Sequence, residues 1–137
     1  MIGPENTFIA SVHKYLPPMD AFYRMKNHNL YNGGIADVWY SNVVDLWIEY
    51  KFVTIPKRAD TIIDLRAGKQ PSISALQVEW LTRRKAEGRN VWIVAGSKEG
   101  GVIDMALSLF RPIGAAAFRG QLLSRSEIAN QIEAFCS

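Results

Sequence analysis

The 137-residue sequence has little of what several protein classes require. It contains one cysteine, Cys136, and two histidines, so it can form no internal disulfide, and it has no His–Cys cluster that would suggest zinc. No apolar run approaches the ~20 residues of a membrane-spanning helix, and the N-terminus lacks the basic start and apolar run of a secretory signal. We therefore expect a cytoplasmic protein without a membrane partner.

Charge is modest overall and unevenly distributed. The net charge is +3, and 48% apolar residues with 21% charged residues are typical of a folded globular protein. The length fits a single domain over residues 1–137. Residues 51–89 carry nine Lys/Arg against four Asp/Glu, so this stretch is +5 and the remainder −2. Such asymmetry suits a phosphate-facing surface and equally suits a solvated helix and loop.

The first half of the chain is predicted to form a helix and then strands. Pro4 suits the first position of a helix, where its missing N–H costs nothing, and Pro17 ends the helical spacing of apolar residues. Residues 21–26, 35–40 and 46–53 are predicted to be strands. The last two are joined by a short connection, which predicts an antiparallel hairpin.

The second half carries two helix-capping signals and one buried strand. Ser74 and Gln77 predict a helix over about 75–87, and Ser124 and Glu127 predict a terminal helix. The less regular segments are predicted as a minor strand at 61–65, a strand at 90–95, a turn at 96–101 and a short helix at 105–110. The order α-β-β-β-α-β, followed by helices, predicts an α/β or α+β domain with helices against a sheet.

The strand at 46–53 places an acid and a lysine on one face. Because successive side chains alternate, Glu49 and Lys51 share a face with Trp47 and Val53. The opposite face is uniformly apolar and is predicted to face the core: Leu46, Ile48, Tyr50 and Phe52.

The hairpin register predicts a second acid on that face. If Ser41 pairs with Asp45, Asp37 opposes Glu49 with Cβ atoms roughly 4.5–5.5 Å apart. Two carboxylates this close repel unless a cation lies between them, and oxygen ligands suit Mg²⁺ or Mn²⁺. Lys51 would then orient a water or stabilise charge on a phosphate. The structural alternative is an exposed sheet face with a cross-strand Lys–carboxylate pair.

Five further residues have two interpretations each. Glu5 is either a first-turn acid favoured by the helix dipole or a carboxylate aimed at a site. Gln77 is either a capping residue or an active-site amide. Arg84 either contacts a phosphate or pairs with Glu87 on its own helix. Arg24 and Lys26 share one face of the first strand and either line a groove or are solvated.

Three more residues belong to this set of DNA-contact candidates. Lys57 and Arg58 lie in the basic stretch after the hairpin, where they would supply salt-sensitive phosphate contacts. His28, in the polar loop before Asp37, is either a DNA contact or a solvated loop histidine.

These motifs resemble a known family. Gly34-x-x-Asp37 followed by Glu49-x-Lys51 is similar to the motif of the PD-(D/E)xK nuclease superfamily, with the nearest likeness to small phage-type endonucleases, Holliday-junction resolvases and stand-alone VRR-NUC nucleases. Ala36 replaces the motif's proline, and Tyr50 is an unusual middle residue. The resemblance implies a restriction-endonuclease-like core with a mixed sheet of about four strands. It covers about residues 5–96 and leaves 97–137 as a C-terminal extension and possible dimer interface.

The resemblance also implies an activity. Members are metal-dependent endonucleases, so Asp37 and Glu49 would bind Mg²⁺ or, in its place, Mn²⁺, with Lys51, Glu5 and Gln77 completing the catalytic set. The products would carry a 5′-phosphate and a 3′-hydroxyl. The enzyme would be a homodimer or higher oligomer, and it would act in the cytoplasm of a bacterium or of a phage-infected host. Branched DNA such as a Holliday junction is the first expected substrate. Sequence-specific homing-type or phage DNA-degrading cleavage is the rival, and a non-catalytic nucleic-acid-binding protein on the same fold is the third possibility.

Overall fold

A five-stranded mixed sheet forms the centre of the fold. The computed structural model describes residues 3–27 and 33–137. Its strands are β1 (Tyr23–Lys26), β2 (Val38–Ser41), β3 (Asp45–Phe52), β4 (Ile62–Ile63), β5 (Val91–Ser97), β6 (Gly100–Asp104) and β7 (Ile113–Gly114). The central sheet has the order β1-β2-β3-β5-β6, with β3 and β5 parallel and the other neighbours antiparallel. β4 and β7 form a separate two-stranded sheet.

Helices cover both faces of the central sheet. They are α1 (Pro4–His13), α2 (Ala75–Ala86), α3 (Ala115–Arg119) and α4 (Arg125–Cys136), with a 3₁₀ turn at Ser108–Phe110. Residues of α1 and α4 are buried against one face, and residues of α2 and α3 share a second buried cluster on the other. None of the described helices is long and apolar enough to cross a membrane. Each fully buried aliphatic or aromatic side chain contributes roughly 1.5–3 kcal/mol, so two clusters hold the sheet from both sides.

Local signals set most helix boundaries. Pro4 occupies the first turn of α1 as predicted. Both predicted capping boxes are present, at Ser74–Gln77 before α2 and at Ser124–Glu127 before α4. Gly88 follows α2 with φ of +83°, a conformation that costs glycine little. These contacts satisfy the N–H and C=O groups that helix ends leave unpaired.

The β2–β3 hairpin has the predicted register. Ser41 pairs with Asp45 and Val38 pairs with Ile48, so the next position outward places Asp37 opposite Glu49. Leu46, Ile48 and Tyr50 are fully buried in the cluster under α1 and α4. The face assignment of β3 is therefore confirmed, and Glu49 lies on the opposite face, where Gln77 of α2 contacts it.

The predictions for the C-terminal part were incomplete. Of the turn predicted at 96–101, only Lys98 and Glu99 turn; Gly100 and Gly101 begin β6, which makes the sheet five-stranded. The helix predicted at 105–110 is a 3₁₀ turn of three residues. Glycine composition suggested a turn here, but a Cβ on Gly101 would lie 2.9 Å from the Phe8 ring, so glycine is needed because α1 packs directly on the strand.

The hydrophobic core does not end at residue 96. β6 pairs with β5 along its length, and Ile128, Ala129 and Ile132 of α4 are fully buried in the same cluster as α1. The hydrophobic core therefore continues past residue 96 into the segment predicted as a C-terminal extension. The sequence missed this because contacts between residues so far apart leave no local pattern.

Candidate active site

The Asp37 carboxylate is held where the β2–β3 ladder ends. Its Oδ2 accepts a hydrogen bond from the backbone N–H of Tyr50 at 2.8 Å. Its backbone carbonyl accepts from Asn27 N–H at 2.7 Å, which continues the pairing of β1 with β2. Two strands therefore fix this residue, one through the main chain and one through the carboxylate. Tyr50, the unusual residue of the motif, contributes this contact through its main chain while its ring faces the core.

Glu49 is completely buried and is bound by two donors. Its Oε2 lies 3.1 Å from the Lys51 ammonium and accepts a hydrogen bond of 3.0 Å from Gln77 Nε2. Among the residues that the structure describes, none forms a hydrogen bond with its buried Oε1. One oxygen of the carboxyl group is thus fixed by two donors, and the other is not.

Burial and a like charge act together on Glu49. Loss of hydration, followed by the negative charge of Asp37, raises the pKa of its carboxyl to about 9, and Lys51 offsets part of the rise. Two carboxyl groups this close are difficult to ionise together without a nearby positive charge. Such a pair is typical of a site that binds a cation.

Glu5 lies close enough to this site to feel its charges. It is in the first turn of α1. Burial and then the negative charge of Asp37 raise the pKa of its carboxyl, and the positive charges of Lys51 and Lys26 offset part of this rise. Helix α1 therefore brings the predicted third acid toward Asp37. The first-turn position also suits the helix dipole, which favours a negative charge there.

The donor set fits a hard divalent cation with few protein ligands. Across residues 3–27 and 33–137, no three His, Cys, Asp or Glu side chains group tightly enough to hold a metal ion. The pair formed by Asp37 and Glu49 remains, and Oε1 of Glu49 has no hydrogen-bond partner in the described part of the chain. Mg²⁺ commonly binds through one or two carboxylates and completes its shell with water and phosphate oxygens.

Gln77 caps α2 and also contacts Glu49. Its side-chain Oε1 accepts a hydrogen bond from the Ser74 backbone N–H at 2.9 Å, and its own backbone N–H donates to Ser74 Oγ at 3.2 Å. These two contacts close the capping box of α2. Its Nε2 donates to Glu49. Because the cap holds the amide oxygen, the amide nitrogen points at the carboxylate, and the start of α2 positions Glu49.

A buried polar chain lies on the other side of the sheet. His13 Nε2 and Tyr40 Oη are 2.7 Å apart, and Tyr40 Oη and Tyr50 Oη are 2.6 Å apart. Burial, together with the positive charges of Arg24 and Lys26, lowers the pKa of His13 to about 4. This chain fixes Tyr50, whose main chain holds Asp37.

The predicted DNA-contact residues have different surroundings. Arg24 donates to the carbonyls of Pro17 and Phe22, so its guanidinium braces the loop before β1. Lys26 donates to Asn6 Oδ1 at 3.0 Å and lies near Glu5. Arg84 pairs with Glu87 at 2.9 Å, the structural alternative considered for it.

Two of the other DNA-contact candidates do not join the carboxylate pair. Lys57 and Arg58 are exposed after β3, and Arg58 lies 3.2 Å from Asp60. His28 lies outside the described residues.

Sequence reasoning missed a row of four aromatic rings beside the carboxylates. Tyr23, Trp39, Trp47 and Trp80 follow one another with centroids 5.7, 6.1 and 5.4 Å apart, and the Arg84 guanidinium lies 5.7 Å from the Trp80 ring. Trp39 and Trp47 are register partners on β2 and β3. The predicted register already pairs these two residues, but nothing in the sequence pattern places Tyr23 or Trp80 beside them.

The topology and the position of the paired acids define a restriction-endonuclease-like fold. No protein-family model matches the sequence, and a search of curated proteins returned no significant match. Among solved structures, the chain is similar to Hjc from Archaeoglobus fulgidus, a Holliday junction resolvase from an archaeal hyperthermophile, with a TM-score of 0.53 and 16% sequence identity. The similarity covers 93% of this chain and 96% of that one. It is a likeness of fold, and it extends beyond the core boundary at residue 96 that the sequence suggested.

Proposed function

We propose that this protein is a divalent-metal-dependent endonuclease that hydrolyses phosphodiester bonds in branched DNA. The observation that carries the proposal is the set of contacts around Glu49. The buried carboxylate of Glu49 lies opposite Asp37 on the neighbouring strand and contacts the Lys51 ammonium at 3.1 Å. It also accepts a hydrogen bond from the Gln77 side-chain amide, which the start of α2 holds in place. A structural ion pair on a solvated sheet face would not need complete burial or a second acid.

Asp37 and Glu49 would hold the metal ion. When bound, a divalent cation there supplies positive charge beside the phosphate and makes a water molecule more acidic. The choice of Mg²⁺, with Mn²⁺ able to replace it, rests on the all-oxygen donor pair. The Tyr50 N–H keeps the Asp37 carboxylate in place, and Gln77 keeps that of Glu49.

Lys51 acts on the phosphate or on the attacking water. Its side chain is 12% exposed and is anchored at Glu49 Oε2, so its ammonium has a fixed direction and little competing solvent. A fixed positive charge in such a site stabilises the negative charge that develops as the phosphate is attacked. Glu5, whose carboxyl is influenced by the charges of Asp37 and Lys51, would add a further contact to the attacking water.

Branched DNA is the preferred substrate class. Two features support it: the fold shared with a protein described as a Holliday junction resolvase, and the +5 charge of residues 51–89. One chain offers one site, so paired cuts across a junction require a two-fold dimer. We therefore include a homodimer in the proposal, to be checked by light scattering.

Cleavage assays test the proposal directly. Labelled four-way junction, flap, single-stranded and linear duplex DNA are incubated with Mg²⁺, Mn²⁺ or EDTA. We expect junction cuts in either metal and none in EDTA. Discrete cuts confined to long duplex would instead identify a sequence-specific enzyme, and binding without cleavage would identify a non-catalytic protein.

Three variants connect the cuts to the site. Asp37→Asn and Lys51→Ala should each lower the cleavage rate by about 100-fold or more. Asp45→Asn is the matched control, because Asp45 lies on the same strand as Lys51, is exposed, and its carboxylate accepts a hydrogen bond from Ser41 Oγ, away from the proposed site. Unchanged cleavage in Asp37→Asn would overturn the proposed site.

A further inference from the structure

The aromatic row, defined as Tyr23, Trp39, Trp47 and Trp80, lies on the same sheet face as the carboxylate pair. Asp37 directly precedes β2 and lies two residues before Trp39, and Trp47 and Glu49 are two residues apart on β3. Two residues advance a strand by roughly 6.6 Å. The row therefore lies about two residues along the β-strands from the acids. A DNA strand whose phosphate reaches the acids would place its neighbouring nucleotides over the rings.

The exposed end of the row is unusually apolar for a surface beside a hydrophilic site. Tyr23 is 48% exposed, and Met25, the register partner of Trp39, is 44% exposed. At the other end, Arg84 lies over Trp80, and its buried Nε has no hydrogen-bond partner among residues 3–27 and 33–137. An aromatic surface that ends in a cation with an unused donor complements a base attached to a phosphate.

We propose that the aromatic row is a stacking surface for unpaired bases next to the cleaved phosphate. The inference rests on the proposed nuclease function and narrows its substrate to DNA with unpaired nucleotides beside the cut, as in a flap or an opened branch point. Bases inside a duplex have both faces covered by their neighbours, whereas an unpaired base offers a free face to an aromatic side chain.

The position of the row favours a nucleic acid over a second copy of this chain. A protein lying flat across Trp39 and Trp47 would also cover Asp37 and Glu49 one step away. A flexible strand can contact the rings and the acids at the same time. The row is therefore assigned to the substrate and not to the dimer interface.

Binding in EDTA tests the row without cleavage. The affinities of labelled oligothymidine and of a duplex of equal length are measured by fluorescence anisotropy. Trp39→Leu should weaken single-strand binding about tenfold and Tyr23→Leu about fivefold, while Trp39→Phe stays within about twofold of the parent. Duplex affinity should change less than about twofold in every variant. Tyr15→Leu is the control, because Tyr15 is half exposed and outside the row.

The outcomes separate this inference from the function on which it rests. Tyr23 is too exposed for its replacement to unfold the protein. Normal single-strand affinity in both Tyr23→Leu and Trp39→Leu would therefore overturn the inference. A shift from dimer to monomer in those variants would also overturn it and would assign the row to self-association. If the parent cuts branched DNA and Asp37→Asn does not, the function stands in either case. A parent that binds single strands through the row but cuts nothing would overturn the function alone.

Discussion

Gln77 and Glu49 are joined by a hydrogen bond of 3.0 Å between residues 28 positions apart in the sequence. The same amide closes the capping box of α2 through its oxygen. One side chain thus fixes the start of a helix and the orientation of a buried carboxylate on the neighbouring strand. Outer contacts of this kind commonly determine how well a carboxylate binds metal.

This double role can be separated by substitution. Gln77→Glu preserves a capping-box residue but replaces the amide donor with an acid, so we expect cleavage or apparent Mg²⁺ affinity to fall by about 10- to 100-fold. Ser74→Ala removes the Ser74 Oγ acceptor and should cost about 1 kcal/mol of stability while leaving Gln77 Nε2 against Glu49. The measurements are cleavage rate against Mg²⁺ concentration and thermal unfolding by circular dichroism. Equal losses of cleavage in the two variants would mean that Gln77 acts through helix stability alone.

Glu49→Gln should stabilise the metal-free protein while abolishing cleavage. The folded-state pKa of Glu49 is raised to about 9 from 4.5, so its contribution to stability is fully present below pH 4.5 and declines as pH rises toward 9. A neutral amide of the same shape avoids this decline. We expect Glu49→Gln to be more stable than the parent by about 1–3 kcal/mol at pH 8 in EDTA.

Denaturant unfolding at several pH values checks this difference. The advantage of Glu49→Gln should grow between pH 5 and 8 and be small near pH 4. The exposed acid of the same strand, in Asp45→Asn, should change stability by less than about 0.5 kcal/mol at each pH. A constant difference across the range would argue against a buried, proton-retaining Glu49.

His13 should make the protein acid-sensitive. Its folded-state pKa is lowered to about 4 from 6.5, so the unfolded chain binds a proton more readily between these values. Stability is then fully present above pH 6.5 and is lost as pH falls toward 4, by up to about 3 kcal/mol. In His13→Gln, which keeps a hydrogen-bonding group near Tyr40 but does not titrate, unfolding free energy measured from pH 7 to 4 should fall less steeply. Parallel curves for the two proteins would contradict the prediction.

Gly34 should be irreplaceable at the entrance to β2. Its φ is +95°, and a Cβ there would lie 2.6 Å from the backbone carbonyl oxygen of Leu76 in α2. Gly34→Ala therefore combines the strain of a left-handed backbone with a clash against the main chain of α2. We expect it to lower the free energy of unfolding by more than about 2 kcal/mol. Cleavage should also slow, because the substitution displaces the segment leading to Asp37 and the start of α2. Thermal unfolding and the cleavage rate measure the two effects.

Gly68→Ala provides the comparison for Gly34. Gly68 also has a positive φ, +86°, but a Cβ at this position would meet nothing within 4 Å. Only the conformational cost of about 1 kcal/mol should remain, with cleavage unchanged. If the two alanine variants lose equal stability, the close approach between Gly34 and Leu76 carries no energetic weight.

Short-range patterns in the sequence determined the local framework of the site. Pro4 begins α1, the two Ser-x-x-Gln/Glu boxes begin α2 and α4, and the short β2–β3 connection sets the register that places Asp37 opposite Glu49. Each of these rests on residues a few positions apart, whose backbone geometry is nearly independent of the remainder of the chain.

Only the tertiary structure decided what surrounds the two acids. The contact of Gln77 with Glu49, the approach of Glu5, the Tyr50 N–H on Asp37 and the placing of Trp80 next to Trp47 join segments far apart in the chain. Strand β6 was missed for the same reason, since Gly101 is required by the packing of Phe8 and Gly100 by the close approach of the Leu123 carbonyl. Alternation and helical spacing tell which face of an element is buried, but they carry no information on which element lies against it.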